Sequence, residues 1–192
     1  MRKILFATHN KNKIKEVDKI LGDNYNIVSL YDIDFHNEIP ETQNTIEGNA
    51  SQKTNYIFEI KAIDCFADDT GLEVEYLNGD PGVYSARYAG EQKNDKDNVA
   101  KLLKAMEGVS HRNARFKTVI SLIFSNKEYI FEGIAQGKIA ETPRGNSGFG
   151  YDPVFIPEGY TKTFAQLSPD EKNTISHRAL AVKKLTEFLS NQ

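Results

Sequence analysis

The sequence predicts an α/β protein built on a mixed sheet. Two observations carry this. Lys3 to Leu30 reads as strand, helix and strand, an opening that asks for parallel pairing. Further on, two long strand-like segments are joined by a tight turn, which adds an antiparallel hairpin to the same sheet.

In order, Lys3-Ile4-Leu5-Phe6-Ala7 is a short buried strand followed by the polar turn Thr8-His9-Asn10. Ile14, Val17, Ile20 and Leu21 recur at helical spacing, and Gly22 is the expected stop. Asn26 to Leu30 is the second strand. Around Ile39-Pro40-Glu41-Thr42 the chain is irregular, and Asn44 to Glu47 fits a helix start with an acid at capping-box distance, the helix running toward Phe58. Ile63, Cys65, Phe66 and Ala67 read as a buried strand that ends in Asp68-Asp69-Thr70-Gly71. After Leu72-Glu73-Val74 and a glycine-rich loop, Val99, Leu102, Leu103 and Met106 mark a helix ended by Gly108. The hairpin pairs Ala114–Phe124 with Glu128–Ile139 through Ser125-Asn126-Lys127. A last helix starts near Ser176, with Ala181, Val182, Leu185, Phe188 and Leu189 on one face.

The chain has 192 residues, enough for one domain or two closely fused lobes with a sizeable core. Lys and Arg number 24 against 27 Asp and Glu, a net charge of -3 that argues against a general nucleic-acid binder. The single cysteine, Cys65, excludes an intrachain disulfide and reads as a buried thiol. Met1-Arg2-Lys3 leads into an apolar run too short for a signal peptide or a membrane span, so a cytoplasmic protein without membrane contact is expected.

Adjacent carboxylates at the end of a buried strand are costly unless something compensates them, and a divalent cation is a natural partner. Successive strand residues face opposite ways, so Asp68 and Asp69 need not share one task. The plainer reading is a capped turn, because Asp-Thr-Gly is ordinary turn chemistry. Thr8, Asn10, Lys11 and Lys13 lie at a helix N-terminus, where backbone amides, a hydroxyl and ammonium groups suit phosphate oxygens. A capped, solvated basic face explains that segment alone better, and Lys53 by itself says little. His9 and His36 have no partner at metal-ligand spacing and read as polar surface or turn residues. In Gly145 to Pro153, three glycines allow close backbone approach to a ligand while Phe149 and Tyr151 offer flat faces for a base. Near the end, Lys172 and Ser176-His177-Arg178 bring donors to a helix start.

Together these segments resemble the Ham1-like family of inosine triphosphate pyrophosphatases. The resemblance runs from Ala7–Lys13 through Pro40-Glu41-Thr42, Asn49-Ala50 with Lys53, Ala67–Val74 and Pro81–Tyr88. It closes on Gly148–Pro153, Glu171-Lys172-Asn173 and Ser176-His177-Arg178. It implies an elongated mixed sheet with flanking helices in two lobes around a nucleotide cleft, a single family domain over residues 1–192, and a homodimer. It implies hydrolysis of ITP, dITP and XTP to monophosphate and pyrophosphate, with magnesium as cofactor. By the same resemblance Thr8, His9, Asn10, Lys11, Asn12, Lys13 and Lys53 form the triphosphate cradle, and Glu41 and Asp69 hold the metal. Asp69 is also the general base and Asp68 a supporting acid. Thr70, Phe149, Gly150, Tyr151, Asp152, Lys172, His177 and Arg178 match substrate-contacting positions. Thr70 replaces the serine common in bacterial relatives and keeps its hydroxyl. Gly48 stands where many relatives carry glutamate, which weakens a helix turn and touches none of these roles.

Rival readings have specific failings. A Maf-like nucleotide pyrophosphatase has an N-terminal serine-and-arginine motif that is not visible here. A haloacid-dehalogenase phosphatase wants two acids separated by one residue, and these two are adjacent. A non-catalytic nucleotide sensor fits less well, since both Glu41 and Asp69 are present.

Overall fold

The computed structural model describes residues 2–21 and 25–192, so Gly22 lies outside the described residues. The elements are β1 (Arg2–Phe6), α1 (Lys11–Leu21), β2 (Tyr25–Ser29), α2 (Ile46–Lys61), β3 (Cys65–Val74) and β4 (Pro81–Gly82). They continue with α3 (Asp95–Ala105), β5 (Asn113–Phe124), β6 (Lys127–Ile139), β7 (Phe155–Pro157), α4 (Pro169–Ile175) and α5 (His177–Ser190). The strands form one sheet in the order β2-β1-β3-β5-β6-β7, with β4 paired to β3. β1 runs parallel to β2 and β3, whereas β3–β4 and β6–β7 are antiparallel, so the sheet is mixed as expected. β5 and β6 are joined through Ser125 and Asn126 at φ 51° and 61°, the left-handed pair that a two-residue hairpin turn requires.

Two expectations shift at α2 and β3. The helix is capped by Thr45, whose side chain accepts from Gly48 N–H, one residue later than Asn44. It also runs on to Lys61 and stops at Ala62, in the left-handed region at φ 52°. Ile63 therefore belongs to an exposed connection and not to the buried strand. β3 does not end at the acid pair either. Its parallel register with β1 closes at Phe6–Phe66, after which Leu72 and Glu73 pair with β4. Asp68, Asp69, Thr70 and Gly71 are thus interior strand residues, and the turn reading of Asp-Thr-Gly is overturned.

The chain divides into two compact units. The first comprises Met1–Asp69, Thr118–Gly133 and Arg178–Gln192. Strand alternation gives it two apolar layers. Ile4 and Phe6 pack with Val17 and Leu21 of α1 and with Ala181, Val182, Leu185 and Leu189 of α5. Leu5 and Ala7 pack with Leu30, Phe35, Ile57, Cys65 and Ala67. Phe6 and Phe66 stack at 4.4 Å between ring centroids, and burial pushes the Cys65 thiol up to about 12, an inert structural group. The second unit comprises Thr70–Lys117 and Ile134–His177, with a core of Leu72, Val74, Leu102, Phe116, Phe155 and Phe164. Among the described residues no helix is long and apolar enough to cross a membrane.

Gly137 on β6 is opposite Pro157, and a Cβ there would lie 2.3 Å from the Ile156 carbonyl oxygen and 2.7 Å from Phe155. Gly137→Ala should therefore lower stability by roughly 1–3 kcal/mol, read as a reduced urea midpoint. An unchanged midpoint would show that β7 yields freely.

Candidate active site

β3 carries Asp68 and Asp69 side by side in the buried interior of the first unit. Each acid is met by cations from a different helix. Asp68 Oδ1 accepts from Lys13 Nζ of α1 at 2.8 Å, and Oδ2 accepts from Arg178 Nε of α5 at 3.3 Å. Arg178 Nη1 also contacts the Glu16 carboxylate of α1. Asp69 Oδ1 accepts from Lys53 Nζ of α2 at 3.1 Å, and Oδ2 accepts from Asn49 Nδ2 at 3.4 Å. Lys53 Nζ donates as well to Glu41 Oε1 at 2.6 Å, so one ammonium bridges two carboxylates.

The two acids end up electrostatically unlike. Around Asp68, two carboxylates face two cations. Burial alone would raise the Asp68 pKa, but Lys13, Arg178 and Lys53 outweigh it and hold the group well below the usual carboxylate range. Burial opposes the Arg178 charge too, yet Asp68 and Glu16 keep its pKa raised. Lys13 is pulled down, chiefly by burial, with Lys53 and Arg178 partly cancelling the help from Asp68. Around Asp69, two carboxylates share the Lys53 ammonium. Burial dominates there and Glu41 adds to it, so the Asp69 pKa is raised despite Lys53 and Lys13. Lys53, desolvated but beside both acids, has a raised pKa and stays charged.

This second group fits a divalent cation. Magnesium is commonly held by one or two carboxylates with substrate phosphate oxygens completing the shell. Glu41 and Asp69 supply two such carboxylates, brought together by Lys53. Among the described residues no group of three or more His, Cys, Asp or Glu forms an all-protein cage.

The expected cradle residues divide into scaffold and charge. Asn10 caps α1, its Oδ1 accepting from Asn12 and Lys13 N–H at 3.0 and 3.2 Å. Thr8 Oγ1 accepts from Asn10 N–H. His9 hydrogen-bonds the Phe35 carbonyl at 2.9 Å and lies against the Phe35 and Tyr31 rings, which ties it into the fold. Lys11 sits over the Tyr31 ring, and Asn12 is exposed. Lys13 and Lys53 are the cradle cations that the structure brings to the acids.

The remaining candidates, apart from Arg178, lie in the second unit, and several have different tasks from those expected. Tyr151 is buried in the core with its hydroxyl donating to the Ser85 carbonyl, so its face is used by the fold and not presented to a base. The loop's backbone donors are engaged internally: Phe149 N–H bonds Asp152 Oδ2, Gly150 N–H bonds Asp95 Oδ2, and Asp152 N–H bonds the Phe149 carbonyl. Asp152 also accepts from Lys172 Nζ at 2.7 Å, holding that ammonium 5.2 Å from the Phe149 ring centroid. Gly148 makes this lock fit, since a Cβ at its φ of +78° would lie 2.0 Å from Asp152 Oδ2. His177 stacks on Phe116 at 4.4 Å. Thr70 follows the acid pair on β3. Arg178, expected at a base carbonyl, is instead committed to Asp68 and Glu16 in the first unit.

Sequence reading passed over α4, which carries Lys172. The signal was present in Ser168-Pro169-Asp170-Glu171, a reciprocal capping box with proline at the first helical position. It also passed over Glu16, which the α1 spacing places three residues after Lys13 on the same face.

Asp68 gives a pH prediction with a definite sign. Its pKa is depressed on folding from 3.8, so its contribution is fully present above that value and fades as pH falls toward the lower folded one. Asp68→Asn should lose roughly 3–5 kcal/mol at neutral pH, because Lys13 and Arg178 are left uncompensated. Denaturant titrations of both proteins should converge as pH drops below 3.8. A gap that stays constant with pH would contradict the ion-pair account.

A model of the Ham1 family matches residues 4–188. A protein named dITP/XTP pyrophosphatase from Flavobacterium psychrophilum is 57% identical over 188 residues, covering 98% of this chain and 99% of that one. Another of that name, from Bacillus subtilis, is 46% identical over 193 residues and covers 98% of each chain. Among solved structures, the Staphylococcus aureus Ham1 protein superposes with a TM-score of 0.90 at 39% identity, covering 99% of both chains. A HAM1 protein from Coxiella burnetii gives 0.91 at 36% identity over 100% of both. The chain belongs to the Ham1 family.

Proposed function

We propose that the protein hydrolyses the triphosphates of non-standard purine nucleosides, dITP, ITP and XTP, to the nucleoside monophosphate and pyrophosphate. The observation that carries this reading is the unlike pair on β3. Asp68 is paired with Lys13 and Arg178, and Asp69 is paired with Lys53, which also holds Glu41. The relatives' shared name, dITP/XTP pyrophosphatase, supplies the substrate class.

In this reading Asp69 takes the proton from the attacking water. Asn49 and Lys53 fix the orientation of its carboxylate. Lys13 and Lys53 offer ammonium groups to the phosphate oxygens, exchanging part of their carboxylate contacts for the substrate. Asp68 and Glu16 keep Arg178 and Lys13 in place while this happens. Glu41 and Asp69 would hold magnesium, which when bound supplies charge neutralisation on the phosphate oxygens.

Within the second unit, Phe149 with the neighbouring Lys172 ammonium suits a purine bearing a 6-carbonyl. The ring offers a face for stacking and the ammonium offers donors to an acceptor oxygen. Adenine would meet the same ammonium with an amino group, donor against donor, and an unpaired buried polar group costs about 1–3 kcal/mol. Lys172→Met should accordingly narrow the preference for dITP over dATP while leaving the metal requirement intact. Equal narrowing by Arg178→Ala, with turnover on dITP preserved, would move base reading to Arg178 instead.

The direct test is a screen of nucleoside triphosphates for pyrophosphate release, with and without magnesium. The expected outcome is release from dITP, ITP and XTP far above ATP, pyrophosphate and monophosphate in equal amounts, and dependence on the metal. Asp69→Asn should lose ~10²–10⁴-fold in turnover. Stepwise orthophosphate release, or near-parental turnover by Asp69→Asn at saturating magnesium, would overturn the reading.

A further inference from the structure

Glu41, Thr42 and Gln43 lie in an irregular segment ahead of α2, and each is gripped by a side chain of that helix. Lys53 Nζ holds Glu41 at 2.6 Å. Gln52 makes two bonds to Thr42, Oε1 accepting from the backbone N–H at 2.9 Å and Nε2 donating to Oγ1 at 2.8 Å. Asn49 Oδ1 accepts from Gln43 N–H at 2.9 Å, while its Nδ2 reaches Asp69. Positions 49, 52 and 53 share one face of α2 at spacings of three and four residues. The segment outside regular structure thus finds its backbone partners on this helix.

Gly48 completes the arrangement. A Cβ built there would lie 2.8 Å from Gln43 Cβ and 2.9 Å from Thr45 Oγ1. In this chain the missing side chain lets Gln43 lie directly against α2.

We infer that Asn49 and Gln52 are positioning residues of the metal site, and that Gly48 is the contact admitting the segment they hold. This rests on the reading of Glu41 and Asp69 as metal ligands. Gln52 bonds Thr42, and Asn49 bonds Gln43 and Asp69. They act by ordering the backbone that directly follows Glu41, which otherwise would lose entropy on every binding event. Outer contacts of this kind commonly change metal affinity by about 10–100-fold when removed.

Mn²⁺ is the probe, its binding followed by the electron paramagnetic resonance signal of the free ion, alongside the Mg²⁺ dependence of dITP hydrolysis. Gln52 is half-buried at the surface, so Gln52→Leu should fold. It should weaken Mn²⁺ binding ~10-fold or more and raise the half-saturating Mg²⁺ concentration in parallel, with kcat at saturating metal near the parental value. Thr42→Val should have a smaller effect alone and none when added to Gln52→Leu, since the one bond it removes is among the two that Gln52→Leu removes. Gly48→Ala should weaken binding in the same direction although alanine favours the helix. Glu41→Ala is the reference. If it weakens Mn²⁺ binding while Gln52→Leu and Gly48→Ala bind like the parent, the positioning role is wrong and the metal assignment stands. If Glu41→Ala itself binds like the parent, the metal assignment falls and the positioning role with it.

Discussion

Two adjacent carboxylates in the interior of β3 set the terms for the rest of the first unit. An unpaired buried charge costs several kcal/mol even after relaxation, so Asp68 and Asp69 are tolerable only with cations brought to them. Those cations come from three helices: Lys13 from α1, Lys53 from α2 and Arg178 from α5. The apolar packing of α1 and α5 on β1 and β3 therefore has to be in register with a set of ion pairs. Apolar contacts tolerate small slips, whereas a buried ion pair does not, so the acids specify where each helix lies along the strand.

The same pairing separates the acids chemically. Asp68, charge-matched by Lys13 and Arg178, is locked in its ionised form and holds its neighbours in place. Asp69 shares one ammonium with Glu41 and has a raised pKa, chiefly through burial. One residue of strand alternation is enough to give identical side chains different partners. In the second unit a comparable lock forms around Asp152, which captures the Phe149 backbone and the Lys172 ammonium, and Gly148 leaves room for it.

Much of this was legible in the sequence because periodicity and punctuation mark elements well. The β-α-β opening, the hairpin, α3 and α5 all follow from apolar spacing and glycine stops. The errors have identifiable causes. Asp-Thr-Gly read as a turn because its composition is turn-like, but β4 pairs with the later half of β3 and carries the strand through it. Tyr151 read as a stacking surface because aromatic faces in a glycine-rich loop look available, while core packing claimed it. The grip of α2 on residues 41–43 was not legible at all. It depends on side-chain to backbone bonds across an irregular segment, which leave no periodic trace.

In the proposed reaction water beside Asp69 attacks the α-phosphorus, with the outer phosphates held by lysines and leaving as pyrophosphate. Hydrolysis of dITP in ¹⁸O-labelled water, followed by mass spectrometry of both products, tests it most directly. The prediction is one labelled oxygen in the nucleoside monophosphate and none in the pyrophosphate. Label in the pyrophosphate would place the attack at the β-phosphorus and contradict the account.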